Sequence, residues 1–181
     1  MTTSPRLGWK ARDFALGGVD GKTWTLAGVR GPKGTLIAFI CNHCPYVRAV
    51  IGRLVEEAEA LEALGIGTVA IMPNDTVAYP ADSFDSMKAF ARRHGFPFPY
   101  LIDATQEVAR AYGAVCTPDF FGFNASDELQ YRGRLDASRT ALVPGARRDL
   151  YEAMRQVAET GQGPREQLLS VGCSIKWRRE D

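Results

Sequence analysis

The chain has 181 residues, 45% of them hydrophobic, with 22 basic against 21 acidic side chains and four cysteines. That is enough apolar material for one well-buried core, so a single domain over 1–181 is expected. The near-neutral balance without a Lys/Arg run argues against a nucleic-acid partner, and no apolar stretch approaches the length of a bilayer span, which argues against a membrane.

The opening residues, Met1-Thr2-Thr3-Ser4-Pro5-Arg6, lead into no apolar segment of the secretory kind, so a cytoplasmic setting is expected. A reducing compartment disfavours structural disulfides. Cys41, Cys44, Cys116 and Cys173 therefore read as redox or metal-binding groups.

In chain order, residues 11–16 and 22–26 flank Gly17-Gly18-Val19-Asp20-Gly21, which predicts a hairpin turning at Asp-Gly. Gly31-Pro32-Lys33-Gly34 breaks the chain ahead of an apolar strand over 35–41. Val47, Val50, Ile51, Leu54, Val55, Ala58, Leu61 and Leu64 then recur at three- and four-residue steps, the apolar face of a helix that Gly65 ends. A buried strand follows over 66–72, then a Pro73-Asn74-Asp75 turn. A helix capped by Asp82 or Ser83 runs to His94 before Gly95. Residues 100–102 read as a short strand and 105–112 as a short helix stopped by Gly113. Two strands, 119–124 and 129–135, precede a last helix over 145–160. This order implies a mixed α/β sheet with helices on both faces. The core spans about 8–160, and the tail, 161–181, carries Cys173, Ile175 and Trp177.

The chemistry concentrates in Cys41-Asn42-His43-Cys44-Pro45, where the apolar strand gives way to the long helix. Pro45 suits the first helical position, which sets Cys44 at or beside the N-cap. Free backbone N–H groups and the positive end of the helix dipole favour thiolate there, so Cys44 is the expected nucleophile. His43 either lowers that pKa further when protonated or is an ordinary half-exposed loop histidine. Cys41, at the strand end, is more buried: a resolving partner, or a small apolar filler. The alternatives are two inert buried thiols, or a zinc site recruiting Cys116 and Cys173. The absence of a second CxxC argues against zinc, and with His43 and His94 the only histidines a His-rich site is excluded, so no metal is expected. Asn74, Asp75 and the loop Tyr79-Pro80-Ala81-Asp82-Ser83 read first as turn formers.

Three stretches carry a family resemblance: Asp13-Phe14-Ala15-Leu16 followed by Asp20-Gly21-Lys22-Thr23, the cysteine junction, and Val115-Cys116-Thr117-Pro118-Asp119-Phe120-Phe121. Over about residues 8–160 the chain resembles the thioredoxin-like superfamily, in particular the branch of thioredoxin-like reductases and the alkyl hydroperoxide reductase/thiol-specific antioxidant (redoxin) group. The resemblance implies a thioredoxin-like fold with an N-terminal β-hairpin extension, and thiol–disulfide oxidoreductase activity. It implies that Pro118 is cis and faces the thiols, with Thr117 beside the nucleophile, and that Thr117, Pro118, His43 and Pro45 form the substrate-binding surface. The substrate would be a protein or small-molecule disulfide, turnover would use an external electron donor such as thioredoxin or a small thiol, and no organic cofactor is implied.

One departure matters. In the family the strand leads into a tryptophan and then Cys-x-x-Cys. Aligned without gaps over Thr35 to Arg48, His43 falls at the tryptophan, Cys44 at the first cysteine, and Val47, a buried-face residue, at the second. Cys44 keeps its role by position, but its usual partner is missing. Cys41 is the first choice as resolver. Cys116, two residues before Pro118, is another. Cys173 is a third, in a tail that either folds back over the body or holds an inert thiol. The opposite register, with Cys41 as nucleophile and Cys44 as resolver, stays open. A thiol peroxidase is the second functional reading, although Cys41 stands where that pattern places a threonine. A non-catalytic binding module is the third.

Overall fold

The computed structural model describes residues 6–179, so the opening residues 1–5, on which the reading of a missing leader partly rests, lie outside it. Strands β1 (Ala15–Gly18) and β2 (Thr23–Thr25) form the hairpin, with Leu16 opposite Trp24 and Gly21 supplying the positive φ of the turn. Both strands are shorter than the sequence pattern suggests. Thr25 leaves the ladder to cap a four-residue helix α1 (Leu26–Val29), its hydroxyl accepting from the Gly28 amide, which buries Leu26 and Val29.

The central elements follow in the expected order: β3 (Gly34–Phe39), α2 (Pro45–Ala63), β4 (Ile66–Met72), α3 (Phe84–His94) and β5 (Tyr100–Ile102). Then come α4 (Glu107–Tyr112), β6 (Cys116–Thr117), β7 (Asp119–Asn124), β8 (Leu129–Gly133), α5 (Asp149–Thr160) and β9 (Cys173–Ser174). One run of strands is ordered β2-β1-β5-β4 and a second β3-β7-β8. Only β4–β5 is parallel among these pairs; β1–β2, β1–β5, β3–β7 and β7–β8 are antiparallel. The runs meet where β3 lies along β4, the Ile40 amide donating to the Ile71 carbonyl at 3.0 Å. The result is a mixed central sheet of the thioredoxin-like kind.

Every residue of β3 and β7 is buried, so alternate side chains supply two cores. Leu36 and Ala38 pack with Val47, Val50, Ile51 and Leu54 of α2, and with α3 and α5. Ile37 and Phe39 face the other way, onto α1, α4 and the buried Ile175 of the tail. Cys41, two residues past β3, and the helix start at Cys44 are thus clamped between two packed layers.

Strand β3 runs 34–39 rather than 35–41, leaving Cys41 past its end, and three later boundaries differ from the sequence reading, each for a local reason. The last helix starts at 149, not 145. The Arg53 guanidinium ties Asp136, Ser138 and the Val143 carbonyl together and holds the preceding loop out of helix. The short helix starts at 107 rather than 105 because the buried Asp103 carboxylate caps the Val108 and Ala109 amides. Strand β8 stops at 133 rather than 135, and the Arg134 amide donates to Leu168 in the tail instead of continuing the ladder.

The packing of β4 against the end of α1 and the loop before β3 depends on Gly67. A Cβ there would lie 2.1 Å from the Val29 carbonyl oxygen and 2.9 Å from the Gly31 nitrogen, both backbone atoms with no rotamer to yield. Gly67→Ala is expected to lower the unfolding free energy by about 1–3 kcal/mol, the range for overpacking a filled site, as read by urea denaturation. An unchanged midpoint would show that this packing is looser than described.

Candidate active site

Cys44 is the N-cap of α2 and Pro45 takes the first helical position. No acidic side chain occupies the first turn of α2, so the positive end of its dipole is not offset there. The Cys44 side chain is fully buried. Its sulfur lies 3.0 Å from Cys173 Sγ and 3.3 Å from the Thr117 carbonyl oxygen. Cys41, also buried, contacts the Thr117 hydroxyl at 3.4 Å. All four cysteines are free thiols.

Three neighbouring thiols here shift one another's ionisation. The Cys44 thiol is held down to about 4, first by the nearby Cys41 thiol and then by Cys173, with burial opposing, although the side-chain contact Cys41 makes is to the Thr117 hydroxyl. The Val47 and Cys173 amides push the same way, although the sulfur makes no capping hydrogen bond of ordinary geometry. The price appears on the partners. Cys41 is driven far above the usual thiol range, first by its bond to Cys44, then by burial and by the Asp82 carboxylate. Cys173 is pushed up to about 11 by burial and by Cys44. As a thiol, Cys44 donates to the Thr117 carbonyl; as a thiolate it loses that bond and can accept from the Cys173 thiol 3.0 Å away.

The loop 113–119 is fixed from beneath. Arg132, buried, donates to the Gly113 carbonyl at 3.0 Å and to Asp119 Oδ2 at 3.1 Å, and Asp119 accepts the Val115 amide at 3.1 Å. Burial raises the Asp119 pKa and the Arg132 guanidinium opposes the rise. The Thr117–Pro118 peptide bond held by this framework is cis. Cys116 points elsewhere: its sulfur is 3.5 Å from the Pro118 carbonyl, and burial pushes its thiol up to about 12.

The tail folds back over this site as a strap. In β9, Cys173 pairs opposite Thr117 and Ser174 opposite Cys116, and the Ser170 hydroxyl donates to the Pro118 carbonyl at 2.6 Å. Of the two readings of Cys173, the tertiary structure gives the one in which the tail folds back and carries the thiol to Cys44. Ile175 supplies the force: it is buried in the second core, beyond the reach of any periodicity argument.

His43 and the loop 79–83 form a second layer that the turn-forming reading of Asp82 and Asn74 misses. Asp82, wholly buried, lies 2.6 Å from His43 Nδ1 and accepts from the Asn42 amide at 2.8 Å and from Asn74 Nδ2 at 3.0 Å. Asn42 in turn accepts the Tyr100 hydroxyl at 2.7 Å. This network braces the loop between β3 and Cys44. The one sequence signal for it was a polar turn after a central strand. Donor atoms of Cys41, His43 and Asp82 lie within 4.8 Å of one another. Two ligands on one tetrahedral zinc sit roughly 3.3 Å apart, which the 2.6 Å His43–Asp82 contact does not match. The four cysteine sulfurs do not converge as one metal-binding group.

The geometry places the Cys44 sulfur at a helix start beside a cis-proline loop. The family model of the AhpC/TSA family matches residues 7–135. An uncharacterized conserved protein from Geobacillus kaustophilus is 44% identical, with 97% of this chain and 94% of that one covered and a TM-score of 0.92. A hypothetical protein from Sinorhizobium meliloti is 37% identical over 98% of both chains, with a TM-score of 0.91. A thiol:disulfide interchange protein of the thioredoxin family from Chlorobium tepidum shares the fold at 21% identity, with 87% and 97% covered and a TM-score of 0.61. No curated protein matches. With the thioredoxin-like fold, the paired thiols and a family match over most of its length, the chain belongs to the AhpC/TSA family of thioredoxin-fold redox proteins.

Proposed function

We propose that this protein is a thiol–disulfide oxidoreductase with Cys44 as nucleophile and Cys173 as resolving cysteine. The Cys44 thiolate attacks one sulfur of a substrate disulfide, and the other half departs as a thiolate. Cys173 then gives up its proton and attacks the Cys44 sulfur, releasing the second half and leaving a Cys44–Cys173 disulfide. Two electrons pass to the substrate, and an external thiol donor returns them. The observation that carries this reading is the 3.0 Å separation of the two sulfurs. Sequence spacing makes Cys41 the first choice as resolver. Here it contacts the Thr117 hydroxyl and, as a neighbouring thiol kept protonated by burial and by Cys44, favours the Cys44 thiolate.

A thiol peroxidase is the second reading, favoured by the family model and by an enclosed, ionised Cys44. In that case Cys44 attacks a peroxide and passes through a sulfenic acid. Disulfide mapping of the protein oxidised by a low-molecular-weight disulfide is expected to yield Cys44–Cys173. Cys44→Ser abolishes turnover, and Cys173→Ser slows it about 100-fold, through loss of a positioned intramolecular attacking group, with mixed disulfide accumulating on Cys44. A Cys41–Cys44 product would return the resolving role to Cys41. Rapid dimedone labelling at Cys44 by peroxide, with no disulfide reduction, would install the peroxidase reading. Ordinary thiol reactivity everywhere would leave a binding module.

The opposed shifts of these thiols also set a pH window. Cys44 ionises in the folded chain far below its unfolded value, so its contribution to stability grows as pH rises from about 4 and is complete above the ordinary thiol pKa. Cys173 works in the opposite sense: held protonated up to about 11, it stabilises below the ordinary thiol pKa and loses that contribution as pH climbs through 11. The unfolding free energy of the reduced protein minus that of Cys44→Ala is therefore expected to rise from acid toward neutral pH and fall again in alkali. A flat difference across the acid limb would show that Cys44 is not ionised in the native state.

A further inference from the structure

We propose that the C-terminal strap, residues 164–178, restricts this site to low-molecular-weight disulfides and excludes polypeptide ones. The inference rests on the thiol–disulfide reading above and specifies its substrate class.

The backbone of Thr117 is the edge beside the Cys44 sulfur, whose distance to the Thr117 carbonyl is 3.3 Å. An extended polypeptide bringing its disulfide to Cys44 would run along that edge and pair with it, as added strands do. The edge is already taken. β9 pairs with β6 there, and Gly172 crosses so closely that a Cβ would lie 2.1 Å from the Thr117 oxygen. The strap thus lies where a substrate strand would lie, with Cys173 in the place of the substrate sulfur.

The strap is also tied down on both flanks. Upstream, the Arg134 amide donates to Leu168 at 2.8 Å, the Gln167 amide group donates to the Gln130 carbonyl at 2.8 Å, and the Arg132 amide donates to Gln167 at 2.9 Å. Downstream, the Ile175 amide donates to Val115 at 3.1 Å, and the Lys176 backbone bonds Asn74, Asp75 and Gln106. Ile175 is 3% exposed, and Arg110 lies over the Trp177 ring. Local opening near Cys173 uncovers Cys44 for a small molecule while both flanks hold. Admitting a polypeptide requires lifting the whole strap, including Ile175 from its core. In the small-molecule reaction the substrate S–S bond breaks, Cys44 keeps one half, and the other half leaves as thiolate. Closure of the strap then brings Cys173 back to displace the bound half.

The test is a single-turnover comparison on the reduced full-length protein, reading the loss of free Cys44 by quench and peptide mapping. Hydroxyethyl disulfide is expected to consume Cys44 about 100-fold faster than insulin at equal disulfide concentration, the scale set by the backbone bonds an insulin strand must displace. Gly172→Ala, whose methyl collides with the Thr117 carbonyl, is expected to raise the insulin rate and narrow that ratio. Ser170→Ala, which removes one strap bond and adds no bulk, should shift it the same way by less. Equal rates for the two substrates in the unaltered protein overturn the proposal, as does an unchanged ratio in variants whose strap exchanges hydrogen faster. A parallel arm compares N-ethylmaleimide with a polyethylene-glycol maleimide at Cys44. Selective exclusion of the larger reagent, with neither disulfide consumed, would sink the oxidoreductase reading while leaving the size gate standing. Equal access for both reagents sinks the gate itself.

Discussion

The seating of the Cys44 sulfur at the start of α2, buried between the Thr117 carbonyl and Cys173, is the constraint from which the rest of the site follows. A thiolate in a buried pocket is costly unless donors surround it. Here the Cys173 thiol and the positive end of α2 face the buried sulfur, and the nearby Cys41 thiol and amides favour the same ionised form. Ionising one sulfur this easily makes ionising either neighbour hard, which is why Cys41 and Cys173 move the other way. The arrangement differentiates residues of one type: one sulfur whose pKa is lowered and two whose pKa values are raised.

The scaffold serves that constraint by holding backbone rather than side chains. β3 and β4 bring the chain to Cys41 between two packed layers, and the Asp82–Asn42–Tyr100 network closes the short loop that follows. The Arg132–Asp119 pair fixes the opposite wall, where Thr117 presents its carbonyl to Cys44 and its hydroxyl to Cys41. A buried ion pair contributes little net stability. Its value here is that it leaves the Val115–Asp119 loop one conformation.

The strap is the feature that distinguishes this member from a bare thioredoxin-like core. The family match covers 7–135, whereas the strap begins beyond residue 160. It completes the cluster of thiols, supplies the sulfur nearest to Cys44 and covers the edge next to it. One segment therefore has three consequences that mutational analysis must separate, and Gly172 and Ser170 bear on the covering without removing a thiol.

Much of the architecture was legible in the residues. The strand–helix alternation, the Cys44–Pro45 helix start and the Thr117–Pro118 loop are written in local patterns: apolar period, a proline suited to the first turn, a motif of contiguous residues. Local chemistry also decides that Cys44 heads a helix, because a cap depends only on its neighbours in sequence. What residue order did not decide was which sulfur meets Cys44. Cys41 is three residues away and Cys173 is 129, yet the contact at 3.0 Å belongs to the distant one. That choice was made by Ile175 seeking a core and by β9 pairing with an unfilled edge, interactions between segments far apart in the chain. Asp82 makes the same point. As a residue it reads as a turn former or a helix cap, and only the folded chain, by removing it from water beside His43, Asn42 and Asn74, turns it into the brace of the site.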